Sequence, residues 1–271
     1  MYPGDVKIVD KRMIDVGLQA VKTGGAVLKE NFGRVPNISY KGKLDLVTDT
    51  DLRAEEAVVS ILTSKFPKHG ILAEERKELP SGSAYRWILD PLDGTTNYAH
   101  GYPFFCVSLA LEHDQNIVWG AVYDPIKEDL FTAELNRGAR LNGQPIKASS
   151  TNSLGRSMLC TGFPYDVHES SDNNLNHFEN FTKAARAIRR DGSAALDLCY
   201  VAMGRFDGFW EIKLRAWDVA AGFLMVTEAG GKVTGLNGMD YDITQRDVLA
   251  SNSLIHEEML KIISLETNID R

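Results

Sequence analysis

The sequence feature that most constrains the fold is the stretch Trp87–Asn97, which reads Trp-Ile-Leu-Asp-Pro-Leu-Asp-Gly-Thr-Thr-Asn. Its apolar start predicts a buried strand, and we expect the proline after Asp90 to end that strand. Gly94 allows a sharp turn, and the three residues after it are ones that commonly open a helix. The stretch therefore predicts a strand, a turn and a helix, with Asp90 and Asp93 at the junction.

The two carboxylates at this junction predict a chemistry as well as a turn. Carboxylates this close repel each other unless protons or cations lie between them. The free amides at the start of a helix attract an anion. The hypothesis is therefore that a metal ion and a phosphate meet at the turn between Asp90 and Asp93.

Composition and charge narrow the class of protein. The chain has 271 residues, of which 44% are hydrophobic and 25% are charged, as in a soluble globular protein with one large domain or two packed ones. Its net charge of -7 and the lack of a continuous basic stripe argue against nucleic acid as the main partner. No segment approaches the roughly 20 apolar residues of a membrane span, so we expect no membrane association.

The three cysteines indicate the redox compartment. Cys106, Cys160 and Cys199 stand apart in apolar segments and have no CxxC spacing. Such thiols are typical of the reduced core of an intracellular protein, so we expect a cytoplasmic location.

Hydrophobic periodicity predicts two long helices, at Asp10–Phe32 and Asp51–Phe66, followed by strands that form an antiparallel meander. The turn-rich segment Gly138–Pro145 is the predicted boundary between an N-terminal α+β half, residues 1–143, and a C-terminal α/β half, residues 144–271. The second half alternates strands and helices and includes a predicted helix at Asn173–Arg189. We expect a layered αβαβα sandwich with an antiparallel N-terminal sheet and a smaller mixed C-terminal sheet.

Acidic residues follow apolar runs at four places in the chain. They are Asp49 and Asp51, Glu74 and Glu75, Asp90 and Asp93, and Asp218 at the first turn of an apolar helix. One such acid alone is more often a solvated turn residue or a helix cap than a ligand. Four together favour a shared site.

These motifs resemble a known family. Asp90-Pro-Leu-Asp-Gly-Thr-Thr, with Glu74-Glu75 upstream and Trp217-Asp-Val-Ala-Ala-Gly downstream, is similar to the inositol monophosphatase family of metal-dependent, lithium-sensitive phosphatases. The resemblance covers about Ile14 to Ile263. Bacterial inositol-1-monophosphatases are the most similar members, because the run Arg189–Asp197 resembles their version of the substrate loop.

The resemblance implies a set of metal ligands. Glu74, Asp90 and the carbonyl of Leu92 would hold one Mg²⁺, and Asp90, Asp93 and Asp218 would hold a second. A third, weaker ion would use Glu74 and water. Mg²⁺ prefers hard oxygen ligands, which suits carboxylates and a backbone carbonyl better than histidine or cysteine. Two or three ions in each active site are therefore expected.

The resemblance also implies catalytic and substrate-binding residues. Thr95, with Asp51 behind it, would position the attacking water, and Glu74 joins them as a catalytic residue. The implied substrate contacts are Asp93, Gly94, Thr95, Gly192, Ser193, Ala194, Glu211 and Asp218. Lys41 and Asp45 match the start of the same pattern and would support its loop. A small phosphorylated polyol is the expected substrate, and a homodimer is the expected assembly.

Several alternatives stay open at this point. Fructose-1,6-bisphosphatase, nucleotide 3'-phosphatase and NADP phosphatase chemistry all suit relatives with such a metal site, and Arg189, Arg190, Lys213 and Arg215 could contact a second phosphate. The same four residues could equally form a solvated basic rim. Asp49-Thr50-Asp51 offers a possible aspartyl nucleophile, which Arg53 disfavours. A non-catalytic regulatory or protein-binding member of the family is the alternative of another class.

Overall fold

The computed structural model describes residues 9–34, 38–40, 46–80 and 82–265, so Lys41 and Asp45 lie outside the described residues. Within these residues the helices are α1 (Lys11–Asn31), α2 (Asp49–Lys65), α3 (Thr95–Ala99), α4 (Leu175–Ala184), α5 (Ala194–Ala202), α6 (Ala216–Glu228) and α7 (His256–Ile263). The strands are β1 (Ile38–Tyr40), β2 (Leu46–Thr48), β3 (Gly70–Ala73), β4 (Tyr85–Asp93), β5 (Cys106–His113), β6 (Asn116–Asp124), β7 (Asp129–Glu134), β8 (Ala139–Leu141), β9 (Gln144–Pro145), β10 (Met158–Thr161), β11 (Ala187–Arg189), β12 (Gly208–Glu211), β13 (Lys232–Thr234) and β14 (Val248–Ser251).

Two larger sheets and three helix pairs form the predicted αβαβα layers. Strands β3 to β9 lie side by side in chain order, and the second sheet has the order β11-β10-β12-β14-β13. Helices α1 and α2 cover the outer face of the first sheet, α5 and α6 lie between the sheets, and α4 and α7 cover the second sheet. The predicted fold class is confirmed.

Strand β5 shows why helices cover both faces of the first sheet. Every residue from Cys106 to Glu112 is buried, as expected of a strand packed on both sides. Val107 and Leu109 belong to the core cluster under α1 and α2, whereas Cys106 and Ala110 belong to the cluster with α5 and α6. Successive residues of β5 therefore belong alternately to two hydrophobic cores, one on each face of the sheet.

A glycine on β6 lets α6 approach the first sheet. A Cβ atom on Gly120 would lie 3.1 Å from the Cα of Ala221 in α6 and 3.3 Å from its Cβ. The close contact fixes how far α6 stands from the strands. It thereby fixes the depth of Asp218, which lies in the first turn of that helix.

The structure corrects the expectation that the proline ends the strand at Asp90. Strand β4 continues to Asp93, and its pairing with β5 shifts between Asp90 and Asp93. A bulge can accommodate Pro91, because the lost ladder hydrogen bond falls where the register is already interrupted. The amide of Leu92 instead donates to Asp90 Oδ1 over 2.9 Å, so the bulge keeps that carboxylate beside the turn.

Two further expectations need correction. The helix predicted at Asn173–Arg189 ends at Ala184, and β11 follows and pairs in parallel with β10. Sheet pairing overrides the helical pattern of the local sequence there. The first pair of the N-terminal sheet, β3 with β4, is parallel, whereas its other pairs are antiparallel.

No helix in the described part of the chain is both long enough and apolar enough to cross a membrane. The predicted domain boundary falls within the β8–β9 hairpin and stays a prediction. The two halves share one core cluster, which combines Cys106 from the first half with Leu198 from the second.

Candidate active site

Four acidic residues from three elements line one cavity of about 470 Å³. Glu74 follows the end of β3, Asp90 and Asp93 lie at the bulged end of β4, and Asp218 lies in the first turn of α6. Each acid is held by its own element, so the cavity exists only when all three are packed together. The structure thus brings together the carboxylates that the sequence predicted to be metal ligands.

The carboxylates of the cavity act on one another electrostatically. The pKa of Asp90 is raised well above its usual range, first by burial and then by the negative charges of Glu74, Asp93 and Asp218. The pKa of Asp218 is also raised well above its usual range, by burial and then by Asp93, while the amide of Arg215 lowers it. Raised pKa values of this origin show carboxylates that lack a compensating positive charge.

The arrangement of these carboxylates suits a cation, although their side chains do not form a preassembled metal-binding group. In the residues that the structure describes, no three His, Cys, Asp or Glu side chains already form a group that could hold a metal ion. The mutual repulsion of the carboxylates is nevertheless what a divalent cation between them would relieve. The donor set is all oxygen, including the carbonyl of Leu92, which also lines the cavity. Such donors fit Mg²⁺.

Asp93 connects the turn after β4 to the start of α5. Its Oδ2 accepts hydrogen bonds from Ser193 Oγ at 2.6 Å and from the amide of Ala195 at 2.7 Å. Burial raises the pKa of Asp93 to about 6, although these two donors oppose the rise. The first turn of α5 is therefore anchored directly on a predicted metal ligand.

The turn after Asp93 requires a glycine. Gly94 has a φ of 98°, and a Cβ there would lie 2.9 Å from the carbonyl oxygen of Phe104. Asn97 reinforces the turn, because its Nδ2 donates to the carbonyls of Phe104 at 2.8 Å and Asp191 at 2.7 Å. This amide side chain holds the loop before Ser193 against the start of α3.

Thr95 and Asp51 form a hydrogen-bonded pair. Thr95 lines the cavity, and its Oγ1 lies 3.2 Å from Asp51 Oδ1 and 3.0 Å from the carbonyl oxygen of Leu92. Asp51 is fully buried behind it, where the hydroxyl and amide of Thr48 donate to Oδ2 as a helix cap. Burial raises the pKa of Asp51 to about 6, with a smaller contribution from Glu74, and Thr48 opposes the rise.

A buried ion pair fixes the segment after Glu74. Glu55 of α2 is 2% exposed and accepts from the amide of Glu75 at 2.8 Å and from Arg76 Nε at 2.7 Å. Arg76 also reaches Glu56 over 2.9 Å. Helix α2 thus supplies Asp51 to the site and also restrains the backbone next to Glu74.

Glu211 lies at the end of β12 and lines the cavity. Burial and the charge of Asp93 raise its pKa to about 8, and Arg190 opposes that rise. Its carboxylate occupies the space where a side chain on residue 162 would stand, because a Cβ on Gly162 would be 2.1 Å from Glu211 Oε1. No role for Gly162 could be predicted from the sequence, because its neighbour Glu211 lies on strand β12.

The other predicted substrate contacts also line the cavity, namely Gly94, Gly192, Ser193 and Ala194. Asp197 lines it too, although the sequence reading assigned it no role. The signal that could have found it is a single acid within the apolar helix α5.

Most of the basic residues that were predicted as possible contacts of a second phosphate line the cavity. Arg190, Lys213 and Arg215 line the cavity, and Arg246 joins them unpredicted. Lys213 pairs with Asp166 over 2.8 Å, which reduces the positive charge that it can offer to a second phosphate. Arg189 does not line the cavity.

A sequence model described as "Inositol monophosphatase family" matches residues 10–267 of the chain. The chain belongs to the inositol monophosphatase family. This membership confirms the predicted resemblance and the enzyme class, a phosphoric monoester hydrolase.

Individual family members show the breadth of the resemblance. The chain is 42% identical over 253 residues to an inositol-1-monophosphatase of Synechocystis sp., covering 93% of this chain and 88% of that one. It is 39% identical to a fructose-1,6-bisphosphatase/inositol-1-monophosphatase of Aquifex aeolicus, covering 93% and 95%. It is 38% identical to the Nus factor SuhB of Pseudomonas aeruginosa, again covering 93% and 95%.

A solved family structure confirms the architecture. The crystal structure of extragenic suppressor protein suhB from Bartonella henselae superposes with a TM-score of 0.88 at 39% identity. The match covers 94% of this chain and 99% of that one, so both halves of the sandwich are shared.

Proposed function

We propose that this protein is a Mg²⁺-dependent, lithium-sensitive phosphatase that hydrolyses inositol monophosphate, or a similar small polyol phosphate, to the free polyol and inorganic phosphate. The observation that carries the proposal is the group of four carboxylates in one cavity with the Thr95–Asp51 pair at its wall. Family membership supports the reaction class. A cytoplasmic location and a homodimeric assembly stay predictions.

The carboxylates would hold two or three Mg²⁺ ions. Glu74, Asp90 and the Leu92 carbonyl would hold one ion, Asp90, Asp93 and Asp218 a second, and Glu74 with water a third. Bound Mg²⁺ supplies positive charge that stabilises the phosphate oxygens and lowers the pKa of water. Residues of the chain then orient the reacting groups.

Thr95 would orient the attacking water. Its hydroxyl donates to Asp51 or to Leu92 O, which leaves an oxygen lone pair free to accept a hydrogen bond from water. Because the pKa of Asp51 is about 6, its carboxylate is ionised at neutral pH. Asp51 can therefore take the hydroxyl proton of Thr95 as Thr95 takes one from the water.

The remaining wall would bind the phosphate ester. The glycine turn at Gly94 presents backbone amides to phosphate oxygens, as in other anion-binding turns. Glu211, together with Ser193 and Ala194 at the start of α5, would contact the alcohol part. The cavity is large enough for a small sugar-like phosphate.

A bisphosphatase is the second candidate. The arginines Arg190, Arg215 and Arg246 line the same cavity as the carboxylates, and a phosphate on the far end of the substrate would meet them. The relative from Aquifex aeolicus carries both activities in its name. A relative named Nus factor SuhB supports a regulatory role as an alternative, but each acid of the proposed metal site is present in this chain and lines the cavity.

The test is phosphate release by the purified chain. Inositol 1-phosphate, fructose 1,6-bisphosphate, 3'-phosphoadenosine 5'-phosphate and NADP should be compared by catalytic efficiency, with Mg²⁺, with EDTA, and with Mg²⁺ plus lithium. We expect Mg²⁺-dependent, lithium-suppressed release with the highest kcat/KM for inositol 1-phosphate. A higher value for the bisphosphate would favour the second candidate, and no release from any ester would refute an enzymatic role.

A further inference from the structure

Asp197 is a buried carboxylate at the cavity wall without a partner for one of its oxygens. It lies on α5, its residue is 1% exposed, and it lines the same cavity as Glu211. Its Oδ1 has no hydrogen-bond partner among the described residues. Buried polar atoms almost always have a partner in native proteins, so the carboxylate of Asp197 keeps unused acceptor capacity at the cavity wall.

The anchoring of α5 explains why Asp197 faces the cavity. The N-cap Ser193 and Ala195 both donate to Asp93, which fixes the first turn of the helix at the site. Residues four apart lie on one face of a helix, so Asp197 stands one turn below Ser193. Ser193 also lines the cavity.

Two hydroxyl groups that line the same cavity as Asp197 direct their protons to other acceptors. Ser193 Oγ donates to Asp93 over 2.6 Å. Thr161, which lines the cavity as well, donates to the carbonyl of Trp210 over 2.6 Å. A hydroxyl has only one proton to donate. Neither hydroxyl therefore has a proton left for Asp197.

The charges around Asp197 define which donor it can take. After burial, the acids Asp191, Glu211 and Asp93 raise its pKa well above the usual range, and Arg190 opposes them. Arg190 is exposed at the rim, and it is the cation that acts on both Asp197 and Glu211. Two acidic side chains on one wall suit a ligand that offers several hydroxyl donors.

We propose that Asp197 is a specificity-determining residue whose carboxylate accepts a hydrogen bond from a hydroxyl of the alcohol part of the substrate, beside Glu211. The cavity then favours phosphate esters whose alcohol carries at least two further hydroxyls. This inference rests on the proposed phosphatase function and extends it to a residue without an assigned role. It predicts discrimination between esters that differ only in these hydroxyls.

The test compares inositol 1-phosphate with phenyl phosphate, whose alcohol has no further hydroxyl. Asp197→Leu keeps the branching and the number of side-chain heavy atoms and removes both acceptor oxygens. We expect it to lower kcat/KM for inositol 1-phosphate about tenfold, mainly through KM, while phenyl phosphate changes by less than about twofold. Asp197→Asn keeps a neutral acceptor, so a loss of about threefold on inositol 1-phosphate is expected.

Asp124→Asn is the matched control. Asp124 is also 1% exposed, but it lies at the end of β6 and accepts from the amides of Ile126 and Lys127. Its substitution should leave the ratio of the two kcat/KM values unchanged. An equal loss on both esters by the Asp197 variants, or no loss on either, overturns the inference. If Asp197→Leu does not fold, Asp197→Asn decides on the same ratio.

The two proposals fail in different ways. If the unsubstituted protein releases phosphate from neither ester with Mg²⁺, the proposed function is wrong. If it releases phosphate and the ratio does not move in the variants, only the role of Asp197 is wrong.

Discussion

Replacing Asp93 by asparagine should remove activity and yet stabilise the metal-free protein. Asparagine has nearly the same shape, and its single carbonyl oxygen can accept the donors Ser193 and Ala195 in place of Oδ2. The amide cannot supply the negative charge that a Mg²⁺ ligand needs. The substitution therefore separates the cost of the buried charge from the geometry of the turn.

The size of the effect follows from the pKa of Asp93. Burial raises it to about 6, against about 4 for a free aspartate. A carboxyl with a raised folded-state pKa destabilises the fold progressively as pH rises from the unfolded-state pKa to the folded-state pKa, because the unfolded chain ionises more easily, and the full cost is present above the folded-state pKa. At about pH 7.5 the difference amounts to about 3 kcal/mol, and below about pH 4 it vanishes because both states are protonated.

Asparagine does not ionise, so it removes this cost. A weaker neutral acceptor offsets the gain by about 1 kcal/mol. The net stabilisation of about 2 kcal/mol corresponds to a rise in Tm of about 5 °C for a chain of this size. Phosphate release should fall at least about 100-fold.

Thermal unfolding in EDTA and in Mg²⁺, at about pH 7.5 and about pH 4, measures these effects. The unsubstituted protein should gain Tm from Mg²⁺ at the higher pH, since ligand binding to the folded state stabilises it. Asp93→Asn should show the higher Tm in EDTA and gain little from Mg²⁺. A lower Tm in EDTA at the higher pH, with an undiminished gain from Mg²⁺, would refute the account of Asp93.

Three further substitutions test other parts of the site. Thr95→Val should lower kcat about 100-fold with little change in KM, because it removes the hydroxyl that orients water. Initial rates measure this effect, and an unchanged kcat would contradict the proposed role of Thr95. Glu55→Gln should raise the Mg²⁺ concentration for half-maximal rate several-fold at nearly constant kcat, because the segment after Glu74 is held less firmly. A titration of the rate with Mg²⁺ measures this concentration. Gly162→Ala should raise KM for inositol 1-phosphate about tenfold by displacing Glu211, whereas Gly155→Ala, with its nearest atom at 3.8 Å, should not.

The local parts of the site could be predicted from the sequence. Asp90 and Asp93 are separated by a proline and a leucine, and Gly94 follows them, so the turn is defined by a few adjacent residues. Asp218 lies far along the chain, and no spacing rule places it beside Asp93. The resemblance to a family joined the two, and the packing of α6 against Gly120 shows how the fold achieves it.

Features that depend on contacts between residues far apart in the chain could not be predicted from the sequence. The continuation of β4 through Pro91 and the existence of β11 are both decided by neighbouring strands. The role of Gly162 depends on Glu211, which arrives from another strand. Likewise the missing hydrogen-bond partner of Asp197 Oδ1 becomes visible only in the packed structure.

The most direct test of the central claim is the anomalous scattering of a crystal grown with Mn²⁺ in place of Mg²⁺. We expect at least two anomalous peaks in the cavity, coordinated by carboxylate oxygens of Glu74, Asp90, Asp93 and Asp218. A well-ordered crystal with no peak among these four side chains, or with peaks bound only by residues outside the cavity, would contradict it.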